Sequence, residues 1–357
     1  MKKIYFTPGP SELYFTVEDH IKTALKKGVP SISHRSSQFK SIYSETVEGI
    51  RQLLNLPENY YIGFTSSANE VWERILQNLV VNKSTHLVNG AFSNKFYEFA
   101  TLMGKDATKI EADYGQCIDP KTVSLDPDTE LLAITHNETS SGANQTLDDI
   151  KSLREMYPDQ LLALDVVSSA PSYPIDYSMV DTAYFSVQKC FGLPAGLGVW
   201  IYNDRCLEKN SQIQKTNSTG TYHRLSHLHE MGLKNQNPET PNVLGIYLLG
   251  EVVKDMLRKG QETIWRETQY KSSLLYHNLE NHSLFTPFVK KKEWRSNTTL
   301  VFECKNPSEV IEKLSEKNMI IGKGYGKYAD SQIRIANFPT HSKEQVELLV
   351  DILLSLN

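Results

Sequence analysis

The chain has 357 residues, 39% of them apolar and 22% charged, with a formal net charge of −4. That balance gives a globular chain with a substantial core and room for one large domain plus a smaller one. A slightly acidic chain without a basic run excludes a nucleic-acid surface, and no window approaches the apolar length of a membrane span. The opening "MKKIYFTPGPSEL" has no apolar stretch of signal-peptide length, so a cytoplasmic location is expected. Cys117, Cys190, Cys206 and Cys304 are scattered without metal-ligand spacing and read as reduced thiols. His223, His227 and His229 cluster in sequence, but no cysteine or carboxylate completes a zinc set, and no metal is expected.

In chain order, the first fifty residues read as an extended arm with two helices. "YYIGFT" predicts a strand, followed by the helix "SANEVWERILQNLV" with Ala68, Val71, Ile75, Leu76 and Leu79 on one face. "THLVNG" is the next strand and "AFSNKFYEFATLMG" the next helix, closed by Gly104. After the strand "ELLAITHN", Thr146 and Asp149 resemble a capping box for the helix "TLDDIKSLREMY". "LLALDVVSS", "TAYFSV" and "LGVWIYN" complete the set. Strands alternating with helices predict a mostly parallel α/β sheet of the seven-stranded type, covered on both faces. The last two runs lack room for a crossover helix, so one antiparallel pairing is expected. Residues 241–281 are helical. Beyond about 290, three strand-like runs ("NTTLVFEC", "MIIGKG", "QIRIAN") and two amphipathic helices predict a small α+β domain. The expected divisions are an arm over 1–15, a large domain over 16–255 and a small domain over 256–357.

Lys189 stands at the end of an apolar run, before the glycine-proline turn that leads to the next strand. An ammonium placed there costs desolvation energy unless it is paired or neutralised. The plain reading is a loop lysine whose head reaches water; the chemical one is an amine that forms an imine with an aldehyde cofactor. Asp165 ends the strand "LLALDVV", where functional groups of open α/β sheets gather. A carboxylate and a lysine so placed suit pyridoxal phosphate, whose pyridine nitrogen the carboxylate keeps protonated. "TSSANE" joins a strand to a helix, so its backbone N–H groups and the helix dipole favour an anion near Ser67, Ala68 and Asn69. An ordinary Ser or Asn cap is the alternative there.

These segments together resemble the class V (fold type I) aminotransferases, most of all the phosphoserine aminotransferases, over most of the chain. "FTPGPSEL" is similar to the family's N-terminal arm, "SHRSSQF" to its His-Arg substrate loop, and "SSANEV" to its phosphate turn. "NGAFS", "HNETSSG", "LDVVSS", "ETPNVLGIYLLG" and "QIRIANF" match further segments, and "SVQKCFGLPAGLG" resembles the lysine loop most specifically. The resemblance implies Lys189 as the Schiff-base lysine and Asp165 as the pyridinium partner. It implies Phe92 stacked on the ring, Thr139 beside its phenolic oxygen and Ser168 supporting the pocket. Gln188 and Thr240 would hold the cofactor phosphate with the Ser67–Asn69 turn, Thr240 and the adjoining Glu239 acting across a homodimer interface. Arg334 would take the substrate α-carboxylate, and His34 and Arg35 its distal phosphate from the second subunit.

Three features depart from the family pattern. Phe92 replaces a common tryptophan, and Glu239 a usual asparagine. The His-Arg pair shortly before the carboxylate arginine is missing, with only Lys323 and Lys327 nearby. The implied reaction is transamination between glutamate and 3-phosphohydroxypyruvate, giving phosphoserine and 2-oxoglutarate. An aminotransferase for small unphosphorylated substrates, of the alanine–glyoxylate or serine–pyruvate type, is the alternative; a non-catalytic binding homologue is the remote one.

Overall fold

The computed structural model describes residues 2–215 and 220–356. The chain opens with β1 (Ile4–Phe6), α1 (Val17–Lys26) and α2 (Ser37–Leu53). It continues through β2 (Tyr60–Thr65), α3 (Ala68–Leu79), β3 (Lys83–Val88), α4 (Ala91–Leu102), β4 (Asp106–Glu111) and β5 (Leu131–Thr135). A two-stranded ribbon, β6 (Asn137–Glu138) and β7 (Ala143–Asn144), leads to α5 (Leu147–Met156), β8 (Leu161–Asp165), β9 (Thr182–Ser186) and β10 (Gly198–Asn203). Helices α6 (Asp204–Gln214), α7 (Leu225–Gly232), α8 (Val243–Lys259) and α9 (Gln261–Leu279) follow. The last elements are β11 (Phe285–Pro287), β12 (Thr299–Cys304), α10 (Pro307–Glu316), β13 (Met319–Lys323), β14 (Gln332–Ala336) and α11 (Lys343–Leu354).

The large sheet has seven strands in the order β2-β10-β9-β8-β5-β3-β4. β10 runs antiparallel to β9, as its short connection requires, and also to β2; the other neighbouring pairs are parallel. The strand period of two divides each central strand between two cores. Leu132 and Ile134 of β5, with Leu162 and Leu164 of β8, pack toward α2, α5 and α8. Leu131 and Ala133, with Leu161, Ala163 and Tyr184, pack toward α3, α4, α6 and α7. By the same parity, the last residues of three strands (Thr135, Asp165 and Ser186) belong to the α3/α4 face. Alternation thereby selects the side of the sheet on which a site can form.

The edge strand β4, "DATKIE", is mostly exposed, which explains why hydrophobic periodicity does not reveal it. Thr146 caps α5 by accepting from the Asp149 N–H, but Asp149 takes a bond from Gln145 instead of closing a capping box. The small sheet, β1-β13-β14-β12-β11, packs one face on α9, α10 and α11. Its first strand comes from the N-terminus: Ile4, Tyr5 and Phe6 run parallel to Met319, Ile320 and Ile321. Helix α9 serves both cores, with Ile264 in the large one and Leu275 and Leu279 in the small one. All four cysteines are free and buried. Among the described residues, no helix is long and apolar enough to cross a membrane.

Helices α2 and α8 approach closely at Gly250, where an added Cβ would collide with the Thr46 hydroxyl oxygen. That hydroxyl is already engaged with the carbonyls of Ile42 and Ile246. Gly250→Leu is expected to force the helices apart at an overpacking cost of about 1–3 kcal/mol, read as a lowered thermal midpoint in calorimetry.

Candidate active site

The ends of β2, β3, β5, β8 and β9, continued by their loops, converge on a cavity of about 360 Å³, a size that accepts a small-molecule ligand. Thr135, Asp165 and Ser186 form its floor, and Lys189 and Gln188 follow β9. Ala68, Asn69 and Trp72 of α3 and Phe92 of α4 form one side. Tyr325 and Arg334 of the small domain, with Thr7 to Pro10 of the N-terminal arm, close the other.

Lys189 is 7% exposed. Its Nζ donates to Thr139 Oγ1 at 3.0 Å and lies 5.0 Å from the centre of the Phe92 ring. Burial lowers the Lys189 pKa, and the charge of Asp165 opposes the shift. A larger fraction of the amine is therefore neutral near physiological pH than for a surface lysine. The Thr139 hydroxyl donates its own hydrogen to Ser168 Oγ at 2.9 Å, and Ser168 donates to the Asn137 carbonyl at 3.0 Å. The chain of donors fixes which lone pair of Thr139 faces the lysine.

The Asp165 carboxylate accepts the Val167 N–H at 2.9 Å. Burial raises its pKa to about 7, with the Val167 bond and the Lys189 charge pulling the other way. A buried carboxylate so disposed is complementary to a cationic N–H delivered by a ligand. Glu138, fully buried, grips the first turn of α4: it accepts the Phe92 and Ser93 N–H groups and the hydroxyls of Ser93 and Ser140. A carboxylate at a helix N-terminus is stabilised by the helix dipole, and here it anchors the turn that presents Phe92.

At the α3 end, Ser67 Oγ caps the helix through the Glu70 N–H, and the Ala68 N–H is held by Ser186 Oγ at 2.7 Å. Glu70 takes the Ser66 N–H. Ala68 and Asn69 line the cavity, whereas Ser67 acts as the cap behind them.

The structure thus brings together Ala68, Asn69, Phe92, Thr139, Asp165, Gln188, Lys189 and Arg334, and puts Ser168 one hydrogen bond behind. Glu239 and Thr240 instead line a separate surface groove with Thr65, Ser66 and Asn242. Glu239 turns toward Asn237, accepting from its Nδ2 at 2.9 Å. His34 and Arg35 lie outside the Lys189 cavity. The Arg35 guanidinium donates to Gln236 Oε1 and to the Asn237 and Pro238 carbonyls, which ties the His-Arg loop to the stretch of chain leading to Thr240. Lys323 lies in a groove beside Glu312 and Glu316, and Lys327 sits over the Tyr328 ring.

Sequence reading misses Glu138, Trp72, Ser186 and Tyr325. Glu138 has a usable signal, an acid at a strand end opposite a helix start. Tyr325 has none, because only the folding of the small domain onto the large one brings it beside Phe92, at 5.4 Å between ring centres.

The class V aminotransferase family profile matches residues 5–343. A solved phosphoserine aminotransferase from Cytophaga hutchinsonii is 46% identical, covers 98% of each chain and superposes with a TM-score of 0.97. Phosphoserine aminotransferases from Rhodococcus opacus and Corynebacterium glutamicum are 29% and 31% identical, over 96% and 89% of this chain and 92% and 85% of their own. An alanine–glyoxylate aminotransferase from Nostoc shares the fold at 23% identity, with a TM-score of 0.83 over 99% of this chain and 95% of its own. With a buried lysine and carboxylate at the strand ends and a profile match along nearly its whole length, the chain belongs to the class V aminotransferases.

Proposed function

We propose that the chain transfers the amino group of glutamate to 3-phosphohydroxypyruvate, releasing 2-oxoglutarate and phosphoserine for serine biosynthesis, as a cytoplasmic homodimer using pyridoxal 5′-phosphate. The observation that carries this reading is the buried Lys189–Thr139–Ser168 chain facing Asp165 across a cavity closed by Arg334. The 46% identity to a phosphoserine aminotransferase supports the choice of substrate.

The residues present fit the cofactor. Asp165 would face its ring nitrogen, Phe92 its ring, Lys189 its aldehyde, and Gln188, Ala68, Asn69 and the α3 N-terminus its phosphate. Bound there, pyridoxal phosphate supplies an imine-forming aldehyde and a ring that accepts charge from the substrate α-carbon. Lys189 is the group placed to take and return the α-proton, and its lowered pKa suits a general base near neutrality. Thr139 orients the amine, and Arg334 offers a two-pronged contact for the α-carboxylate. Thr240, exposed in its own chain, reaches a site only through a second copy, as do His34 and Arg35 on the loop tied to the same segment.

Substrate discrimination tests the reading. Arg334→Ala should damage every amino acid substrate alike. Arg35→Ala should lower kcat/KM for phosphoserine by roughly ten- to a hundredfold and leave alanine unaffected. Equal losses for phosphoserine and alanine would replace the phosphate assignment with the small-substrate alternative.

Shared sites make a second prediction. Lys189→Ala and Thr240→Trp homodimers should each be inactive, yet mixing them should restore activity, since one hybrid site then combines an intact Lys189 with an intact Thr240. Mixed dimers as inactive as their parents would place both residues in one chain's site.

Asp165 makes a third. A carboxyl with a raised folded pKa favours folding while protonated, and that contribution is lost as pH rises from its unfolded value of about 4 through about 7. Cofactor-free Asp165→Asn should therefore melt higher than the cofactor-free parent at about pH 8, with the gap closing as the pH falls through that window, while transamination is lost. Thermal melts across the pH range check the sign.

A further inference from the structure

Tyr184 lies beside Asp165. The two are Cα partners in the parallel pairing of β8 with β9, so both side chains leave the same face of the sheet. The tyrosine is 1% exposed, packed with Trp72 and Phe96 in the α3/α4 core, where a phenol hydroxyl is costly unless it has a partner. On its other side, β10 offers Trp200, whose indole N–H is already donated to Thr182. The polar group that the Tyr184 hydroxyl engages is the Asp165 carboxylate. Burial, and then the Asp165 charge, hold the phenol pKa well above its ordinary value, so the hydroxyl keeps its proton and acts as the donor.

Trp72 backs this contact. Its ring stacks on Phe96 at 5.6 Å between centres, and it lines the Lys189 cavity. Its buried Nε1–H has no partner at normal hydrogen-bond length among the described residues and lies near the Tyr184 hydroxyl. Against the burial that raises the Asp165 pKa stand the Val167 N–H, the Lys189 charge and the Tyr184 hydroxyl, while Glu138 adds to the rise.

We propose that Tyr184, backed by Trp72, is a positioning residue for Asp165, its hydroxyl holding the buried carboxylate ionised for the cationic ring nitrogen of the cofactor. The inference rests on the cofactor reading above. A carboxylate that loses this donor reverts toward its neutral form and grips a cationic N–H less tightly.

The first test measures cofactor dissociation from the holoenzyme at about pH 8. Tyr184→Phe, which keeps the ring and removes the hydroxyl, is expected to weaken pyridoxal phosphate about tenfold. It should leave unchanged the affinity for the 1-deaza analogue, which has carbon in place of the ring nitrogen, and should add nothing in an Asp165→Asn background. Trp72→Phe should give a smaller loss that disappears in the Tyr184→Phe background, and a loss that persists there overturns the backing role. Equal weakening of both cofactors, or of neither, overturns the role of Tyr184. The second test uses cofactor-free protein. The melting gap between parent and Asp165→Asn, which widens as pH rises, should go on widening about one pH unit further in the Tyr184→Phe background, because losing a donor to the charged form raises the carboxyl pKa. A window that does not move overturns the proposal, and Trp72→Phe carries the same measurements if Tyr184→Phe does not fold. A parent that binds no pyridoxal phosphate overturns the cofactor reading instead, and the melts still decide Tyr184.

Discussion

Everything at the site depends on keeping one amine and one carboxylate out of water without letting them neutralise each other. Lys189 donates to Thr139 and not to Asp165, and Asp165 accepts from the Val167 backbone. Burial pushes the lysine pKa down and the aspartate pKa up, so each is held toward its neutral form. Two displaced ionisation equilibria of this kind are unfavourable for the empty protein and useful to an enzyme. The surrounding fold supplies the rigidity they require: central strands buried on both faces end at the site, and the Thr139–Ser168–Asn137 bonds hold the oxygen that receives the lysine head.

Much of this is legible in the residues. The runs from 60 to 203 read directly as alternating strands and helices because buried parallel strands are continuously apolar, and the Lys189 loop stands out because a charge interrupts that pattern. What stays hidden has a common cause. β4 is a polar edge strand, and β1 has three residues whose partner, β13, lies about three hundred positions away in the chain. Tyr325 acquires its role only from groups that the tertiary fold brings to it, and Glu138, though marked as an acid at a strand end, meets the helix turn it grips in the same way. Local periodicity carries no trace of either kind of contact.

The N-terminal arm shows how the two sheets come to share one site. Its strand β1 belongs to the small sheet, while the Ser11 N–H donates to the Gln188 carbonyl at 3.1 Å and the Tyr14 N–H to that of Gly192 at 2.8 Å. Between the strand and those anchors, Gly9, at φ 141°, passes so near Lys189 that a Cβ would meet its Cε at 2.9 Å. Only glycine fits both the backbone angle and that approach. The arm therefore ties the lysine loop to β13, the neighbour of the strand that carries Arg334. A shift of the small sheet that moved Arg334 would pull on the segment packed against Lys189, so the guanidinium and the amine on opposite sides of the cavity are mechanically linked through a few residues of chain.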